Sequence, residues 1–262
     1  MLTYGIPSYK LEKDVIDAEI DIMREMGVEI KCGVEVGKDI TLDQLRAEGY
    51  KAFYVAIGCQ GGKKPNVVGS DAEGVTTAVD FLKVANCGGY AVKGKTIVIG
   101  GGNVAIDAAR VSARSGAKEV AMYCLETRDI MPASSEEIVE AKEDGVIINC
   151  GWGPKEIVVE NGKAVAVVFK KCLSVLDENN RFNPTYDENE TQTVACDNVI
   201  FAVGQTIVWG DLLKGSKVEF GRGNGPIADT LTYQTAEKDI FVGGDVLTGP
   251  KFAIDAIAQG HE

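Results

Sequence analysis

The first 150 residues alternate between helical spacing of apolar residues and short continuous apolar runs. Helical spacing predicts helices over residues 13–27, with Gly27 as the C-cap, over Leu42 to Glu48 after Thr41, and over Ala78 to Ala85. Apolar runs predict a short strand from Val28 to Cys32 and a buried strand from Lys51 to Ile57. This alternation is typical of an α/β fold.

The strongest pattern lies in the middle of this region. The β-branched run Thr96 to Ile99 is followed by Gly100–Gly101–Gly102, and an alanine-rich helix is predicted from Asn103 to about Ser115. A second strand, Glu119 to Leu125, follows Gly116. Together they predict a βαβ unit of about 30 residues, the mononucleotide-binding half of a doubly wound sheet. A helix over Ser134 to Lys142 and a strand over Val146 to Asn149 continue the alternation.

From residue 155 the pattern becomes antiparallel. Asn161–Gly162 lies between two apolar runs, which predicts a hairpin with a type I′ turn. The acidic stretch Asp177 to Glu190 contains Pro184 and predicts a solvated loop, followed by a strand from Thr191 to Cys196. Near the end, the strand Ile240 to Val242 precedes Gly243–Gly244–Asp245, and a helix is predicted from Pro250. The predicted fold is therefore a Rossmann-like parallel sheet with an antiparallel β-meander.

Composition excludes several classes of protein. A length of 262 residues fits one or two domains, and a net charge of −12 disfavours nucleic acid and anionic membranes as partners. No apolar run approaches the roughly 20 residues that span a bilayer. The seven cysteines are odd in number and widely scattered, which favours reduced thiols in a cytoplasmic protein. The single histidine, His261, is penultimate, so we expect neither a metal site nor a histidine-based catalytic site.

Candidate chemistry centres on the motif Gly100-x-Gly102-x-x-Ala105, which sits between the predicted strand and helix. Gly100 permits a tight turn, Gly102 allows close approach of a pyrophosphate, and Ala105 keeps the helix close to the strand. The helix that starts at Asn103 would direct its free amides at the anion. A glycine turn without a ligand is the alternative, but the surrounding βαβ pattern favours a dinucleotide.

The dinucleotide's identity depends on the end of the second strand. Glu126 follows Ala105 by 21 residues, the spacing at which an acidic side chain accepts hydrogen bonds from a ribose 2′-hydroxyl. A 2′-phosphate would need cations, which Leu125–Glu126 lacks, so NAD(H) is favoured over NADP(H). Arg128 is close enough in sequence to complicate this preference. The alternative is that Glu126 only ends a surface strand.

Several motifs together resemble one family. They are Tyr4 to Leu11, Tyr54 to Gly58, Ile97 to Arg110, Met131–Pro132–Ala133, Val199 to Gln205 and Ile240 to Ile257. In this order they resemble the small subunit of bacterial glutamate synthase and its relatives, which include the nicotinamide-oxidising half of dihydropyrimidine dehydrogenase. The resemblance implies a flavoprotein oxidoreductase in which an NAD(P)-binding domain is inserted in an FAD-binding domain. Hydride would pass from the nicotinamide to FAD, and electrons would pass on to iron–sulfur clusters.

The resemblance also implies residue roles. Ala56 and Gly58 match the strand end that closes the FAD domain, and Gly204 matches the second such strand end. Gly244 and Asp245 match the motif whose aspartate holds the ribityl chain of FAD. For Asp245 the alternative is a helix-capping aspartate, since Asp is a good N-cap residue. No side chain need act as a general acid or base, because the flavin is the hydride acceptor.

Two departures from the family pattern affect these expectations. NADPH-using members carry an Arg-Arg pair where this chain has Leu125–Glu126, which supports NADH. The family's cysteine-rich domain and its first Gly-x-Gly-x-x-Gly, which binds the FAD pyrophosphate, have no counterpart here. We therefore expect a fragment with weak or absent FAD binding. The alternative function is an isolated NAD-binding module without turnover.

The predicted organisation has three segments. Residues 1–69 and 207–262 would form a partial FAD-binding domain, and residues 70–206 would form the inserted NAD(P)-binding domain. The expected partner is an electron-accepting subunit or iron–sulfur domain, and a homo-oligomer is left open.

Overall fold

The structure, a computed structural model, describes residues 1–88 and 91–262. The chain forms two units: unit 1 contains residues 1–20 and 62–204, and unit 2 contains residues 21–61 and 205–262. The helices in chain order are α1 (Lys13–Glu25), α2 (Leu42–Glu48), α3 (Ala78–Asn86), α4 (Asn103–Arg114), α5 (Ser135–Glu143), α6 (Asp245–Thr248) and α7 (Ala253–His261).

The strands are numbered in the same way. They are β1 (Phe53–Val55), β2 (Gly61–Gly62), β3 (Val75–Thr77), β4 (Lys95–Ile99), β5 (Glu119–Cys124), β6 (Ile147–Cys150), β7 (Trp152–Glu160), β8 (Lys163–Leu176), β9 (Phe182–Ala195), β10 (Asn198–Phe201), β11 (Gln205–Thr206) and β12 (Ile240–Val242). The short strands β2 and β11 lie where the chain passes between the units.

A parallel sheet in the order β3-β10-β4-β5-β6 forms the centre of unit 1. Val98 faces the helical side with α3, α4 and α5, whereas Ile97 and Ile99 face a second core on the opposite side. Burial of both faces explains the continuous apolar run that identifies β4 in the sequence. The prediction of a βαβ unit in a parallel sheet is confirmed.

An antiparallel sheet, β7-β8-β9, packs on the parallel sheet and forms the other side of the second core. Asn161 and Gly162 join β7 to β8 with φ of 51° and 82°, so the predicted type I′ hairpin is confirmed. The ring of Phe169 stacks on that of Tyr123 with centroids 4.0 Å apart. This stacking joins β8 directly to the parallel sheet.

The prediction of a solvated loop over Asp177 to Glu190 is wrong. Strand β8 continues to Leu176 and β9 begins at Phe182, so only five residues connect them. The carboxylate of Asp177 accepts the amides of Asn179 and Arg181 at 2.8 and 3.0 Å, which closes a tight turn. The polar residues beyond the turn lie mainly on the exposed side of the sheet, where an antiparallel sheet can face water.

The N-terminal segment of unit 1 packs on α4 and α5 through ionic contacts. The ammonium of Lys10 lies 2.5 Å from a carboxylate oxygen of Asp107 and 2.8 Å from one of Glu137. The guanidinium groups of Arg110 and Arg114 both lie 4.5 Å from the ring centroid of Tyr9. These contacts give the Tyr4 to Leu11 motif a structural role on the helical face of unit 1.

In unit 2, β1 and β12 form a two-stranded parallel sheet over a core that includes Leu42, Val55, Ile240 and Val242. Helix α2 begins with the expected cap: the Thr41 hydroxyl accepts the Gln44 amide while the Gln44 side chain accepts the Thr41 amide. The helix predicted from Pro250 begins at Ala253.

The strand predicted over Val28 to Cys32 is wrong, because this segment has no regular structure and its apolar side chains are exposed. A strand needs a hydrogen-bonding neighbour. Among the residues that the structure describes, no strand pairs with this segment.

No helix in the described ranges 1–88 and 91–262 has the length and apolar character needed to cross a membrane.

An ion pair joins α2 to the turn before β12. The guanidinium of Arg46 donates hydrogen bonds of 2.7 and 3.0 Å to the two carboxylate oxygens of Asp239. These bonds hold the pKa of Asp239 below its ordinary value. A carboxyl group with a lowered folded-state pKa stabilises the fold above its unfolded pKa and loses that contribution as the pH falls.

We therefore expect Asp239→Asn to lower the free energy of unfolding by about 1 kcal/mol at pH 7, a typical upper value for a partly exposed pair. The difference from the parent chain should narrow as the pH falls below about 4, where the parent also loses the charge. Urea denaturation at a series of pH values measures this. The control is Asp43→Asn, which removes a more exposed partner of Arg46 and should change stability less. A difference that stays constant with pH would contradict the prediction.

Candidate functional site

The turn after β4 makes an unusually close backbone contact. Gly100 has φ of 147°, and a Cβ on it would lie 2.4 Å from the carbonyl oxygen of Ala202. Its amide donates to the carbonyl of Tyr123 at 2.9 Å. The turn is thereby held between β5 and the end of β10, and only glycine fits there.

The next two glycines have different surroundings. A Cβ on Gly101 would lie 2.8 Å from Oε2 of Glu126 and 3.1 Å from the Cβ of Cys124. A Cβ on Gly102 would meet no atom within 4 Å, and Gly102 has an ordinary φ of −94°. The fold therefore requires a small residue at Gly101, whereas the protein leaves open space beside Gly102.

Helix α4 begins at this open space without a side-chain cap on Gly102. Its first amides lack intrahelical acceptors, as at any helix start, and are suited to binding an anion. Ala105 is fully buried, as expected for a residue that keeps the helix close to the sheet. The Oδ1 of the Asn103 side chain accepts the Ser134 amide at 2.9 Å, which ties the start of α4 to the residue before α5.

Glu126 lies beside the glycine turn, where the sequence spacing predicts it. Its backbone carbonyl accepts the Gly151 amide at 2.9 Å and the Cys124 thiol at 3.6 Å. Arg128 is exposed in a 3-10 turn over Arg128–Ile130. Within the described part of the chain, no hydrogen bond or ion pair joins Arg128 to Glu126. The structure thus brings an acidic side chain, and not a cationic one, to Gly101.

Gly204 follows β10 and has φ of 110°. Its carbonyl accepts the Lys63 amide at 3.1 Å. This places Gly204 at a turn that favours glycine, at the carboxyl end of a central strand.

The remaining predicted residues lie in unit 2. Asp245 is 8% exposed, and its carboxylate accepts the Lys251 amide at 3.1 Å. The thiol of Cys59 donates to the carbonyl of Asp245 at 3.3 Å. The turn that contains Ala56 and Gly58 therefore lies beside Asp245, with open space around the α-carbon of Gly58.

Sequence reasoning missed one residue in this part of unit 2. The Gln259 side chain accepts the amide of Gly244 at 2.6 Å and so ties α7 to the start of α6. No sequence signal could have identified it, because the contact joins segments whose relative placement depends on the folded unit.

Unit 2 also contains a cavity of about 820 Å³ with a largely apolar lining. Tyr54, Ala56 and Trp209 are among its lining residues, whereas Gly58, Gly244 and Asp245 are not. Of the four residues that the resemblance assigns to FAD, only Ala56 lines this cavity.

Most of the chain matches one protein family. Residues 38–260 match the model of the pyridine nucleotide-disulphide oxidoreductases. The chain belongs to this family. Family members bind FAD and a nicotinamide nucleotide, and the expected resemblance to this family is confirmed.

Three curated relatives align with the whole chain. The β subunit of NADP(+)-dependent formate dehydrogenase from Moorella thermoacetica is 34% identical and is covered over 37% of its length. The small chain of glutamate synthase [NADPH] from Halomonas elongata is 31% identical and covered over 58%. The PreT subunit of NAD-dependent dihydropyrimidine dehydrogenase from Escherichia coli O157:H7 is 35% identical and covered over 57%. The chain therefore spans between about a third and three fifths of the length of these relatives.

A solved structure supports the fold. Mycobacterium tuberculosis FprA in complex with NADPH superposes with a TM-score of 0.75 at 17% identity, over 97% of this chain and 70% of FprA. The Rossmann-type α/β fold predicted from the sequence is confirmed.

Gly100 and Gly102 should respond differently to an added methyl group. We expect Gly100→Ala to lower the free energy of unfolding by about 2 kcal/mol or more, because the Cβ would overlap the Ala202 carbonyl at a positive φ. We expect Gly102→Ala to change it by less than about 0.5 kcal/mol, because its φ is ordinary and the space is open. Urea denaturation of both variants measures the difference. Equal losses of stability would contradict the geometry described for Gly102.

Proposed function

We propose that this chain binds NADH at the Gly100–Ala105 turn and passes its hydride to FAD, for delivery of electrons to a partner. The observation that carries this proposal is the open space at Gly102, at the uncapped start of α4 and next to Glu126. The family membership supports the reaction class.

The turn residues fit a nicotinamide dinucleotide. The backbone at Gly102 and Asn103 would hold the pyrophosphate, while Gly100 and Ala105 fix the approach of helix to strand. The carboxylate of Glu126 would accept hydrogen bonds from the ribose hydroxyls. It would repel a 2′-phosphate, which is why we favour NADH. The relatives include one named for NADPH and one named for NAD, so we base the choice between the two nucleotides on the residues around Glu126.

In unit 2, the residues around Asp245 fit a flavin nucleotide. A nearly buried carboxylate, the open turn at Gly58 and the turn at Gly244 form a group that suits a ribityl chain and its phosphate. We assign Ala56, Gly58, Gly244 and Asp245 to FAD, and Gly204 to the strand end that precedes the return to unit 2. When bound, FAD supplies a hydride acceptor that can release single electrons. The protein's part is to bind and orient both nucleotides.

This assignment gives each segment a function. Residues 70–206 would be the NAD(P)-binding domain, and residues 207–262 would contribute to FAD binding together with the part of residues 1–69 that belongs to unit 2. The relatives named as subunits of larger enzymes support an electron-accepting partner. We propose an iron–sulfur subunit or domain as that acceptor, and a cytoplasmic location. The comparisons give no support to the alternative of an NAD-binding module without turnover.

The first test is NADH binding to the Gly102→Ala variant. The added methyl group would occupy the space assigned to the pyrophosphate, so we expect at least a tenfold weaker affinity, about 1.4 kcal/mol. Titration of intrinsic or NADH fluorescence measures it. The matched control is Gly225→Ala, since Gly225 also has an ordinary φ and no atom nearer than 3.9 Å to a Cβ. The proposal fails if Gly102→Ala binds NADH as tightly as the control.

The second test concerns cofactor choice. We expect the parent chain to bind NADH more tightly than NADPH. We expect the double variant Leu125→Arg, Glu126→Arg to reverse that preference, with a change of at least tenfold in the affinity ratio, because two guanidiniums can pair with a 2′-phosphate. Parallel titrations with both nucleotides measure the ratio.

The control for the second test is Glu143→Arg, which makes the same kind of charge change at an exposed position on α5. It should leave the ratio near that of the parent chain. Tighter NADPH binding by the parent chain would overturn the role assigned to Glu126.

A further inference from the structure

Two cysteines occupy matching positions on neighbouring strands of unit 1. Cys124 ends β5 and Cys150 ends β6, and the two are register partners in the parallel sheet. Both side chains contact the helical-face core, so they project from the same side of the sheet. The two cysteines are 26 positions apart in the sequence, so the sequence alone does not indicate this proximity.

The distance between these positions suits a disulfide. Neighbouring strands lie about 4.8 Å apart, within the range of about 4.4–6.8 Å between the Cα atoms of bridged cysteines. Burial, and after it the neighbouring Cys150 thiol, raises the pKa of the Cys124 thiol, as expected for two sulfurs that lie close together. A bond between them therefore needs rotation of side chains and a small local shift, not rearrangement of the sheet.

The pair also lies directly under the nucleotide turn. The Cβ of Cys124 is 3.1 Å from the position that a Cβ on Gly101 would occupy, and its thiol donates to the Glu126 carbonyl. The same carbonyl accepts the amide of Gly151, the residue after Cys150. The Glu126 carbonyl is thus bonded by Cys124 itself and by the residue after Cys150, so a bond that draws the two sulfurs together acts on Glu126.

We propose that Cys124 and Cys150 are a redox-sensitive pair, which a hydroperoxide oxidises to a disulfide that weakens nucleotide binding at Glu126. The regulatory half of this inference rests on the proposed function, whereas formation of the disulfide does not. Oxidation removes the Cys124 thiol proton that now bonds to Glu126, and it pulls Cys124 and Cys150 together beneath Gly101.

The chemistry proceeds in two balanced steps. Cys150 is only partly buried, so its thiolate attacks a peroxide oxygen, breaks the O–O bond and becomes a sulfenic acid while the hydroperoxide leaves as an alcohol or water. The sulfur of Cys124 then attacks the Cys150 sulfur, which forms the S–S bond and releases water with the Cys124 proton. Two thiols are oxidised and one peroxide is reduced. A small thiol reverses the bond by exchange.

The order of these steps follows from burial. Cys124 is 2% exposed, and burial raises the pKa of its thiol, so Cys124 is the resolving partner and not the first to react. Cys196 provides a matched comparison: it is 6% exposed, and burial raises the pKa of its thiol to about 12. Within the described part of the chain, no other cysteine is a register partner of Cys196.

The experiment uses the full chain, first reduced and desalted and then treated with hydrogen peroxide. Remaining thiols are alkylated, and peptide mass spectrometry identifies cross-linked cysteines. The NADH dissociation constant is measured before treatment, after treatment and after reduction with dithiothreitol. The variants are Cys150→Ala, which removes the pair, and Cys196→Ala, which removes a buried thiol elsewhere in unit 1.

We expect a Cys124–Cys150 peptide, an increase of at least fivefold in the NADH dissociation constant, and recovery after reduction. Cys150→Ala should bind NADH like the reduced parent and lose sensitivity to peroxide, whereas Cys196→Ala should retain it. Absence of the cross-linked peptide at peroxide levels that oxidise exposed cysteines would overturn the proposed Cys124–Cys150 disulfide. A cross-link that leaves NADH affinity unchanged would overturn the regulatory role.

The two proposals fail separately. If the reduced chain does not bind NADH, the proposed function fails and the regulatory role fails with it, while the peptide map still decides whether the disulfide forms.

Discussion

The close approach of Gly100 to the Ala202 carbonyl governs the geometry of unit 1. Because a Cβ would lie 2.4 Å from that oxygen, the chain can leave β4 here only through glycine. The turn then directs α4 across the sheet with its first amides at the carboxyl edge, next to Glu126. Ligands of doubly wound sheets bind at this edge. One steric constraint therefore fixes the turn, the start of the helix and the acidic side chain together.

The elements that sequence analysis predicted correctly are those with local causes. The βαβ unit follows from a continuous apolar run, a glycine turn and an alanine-rich helix, and the hairpin at Asn161–Gly162 follows from two residues that tolerate positive φ. The failures have non-local causes. Val28 to Cys32 has a strand-like pattern but no pairing strand in the described structure, and the polar residues of β9 form a strand because β8 provides a long neighbouring edge.

The same distinction between local and non-local causes applies to the candidate site. The position of Glu126 could be predicted because the length of a βαβ unit fixes the end of its second strand. The engagement of the Asn103 side chain by Ser134 and the contact of Gln259 with Gly244 could not, since both join elements separated in sequence. The cysteines give the clearest case: their sequence spacing indicates isolated thiols, and only the strand register places two of them side by side.

The pairing of β1 has a consequence for local unfolding. Strand β1 has three residues and pairs, among the described strands, with β12 alone, whereas β4 lies between β10 and β5 in a five-stranded sheet. Two-stranded sheets are only marginally stable by themselves. Amide hydrogens in regions with few tertiary contacts exchange with solvent through local unfolding that costs little free energy. Hydrogen exchange should therefore be faster in β1 than in β4. A ligand that binds unit 2 would slow exchange there selectively, so amide protection reports on which unit a nucleotide occupies.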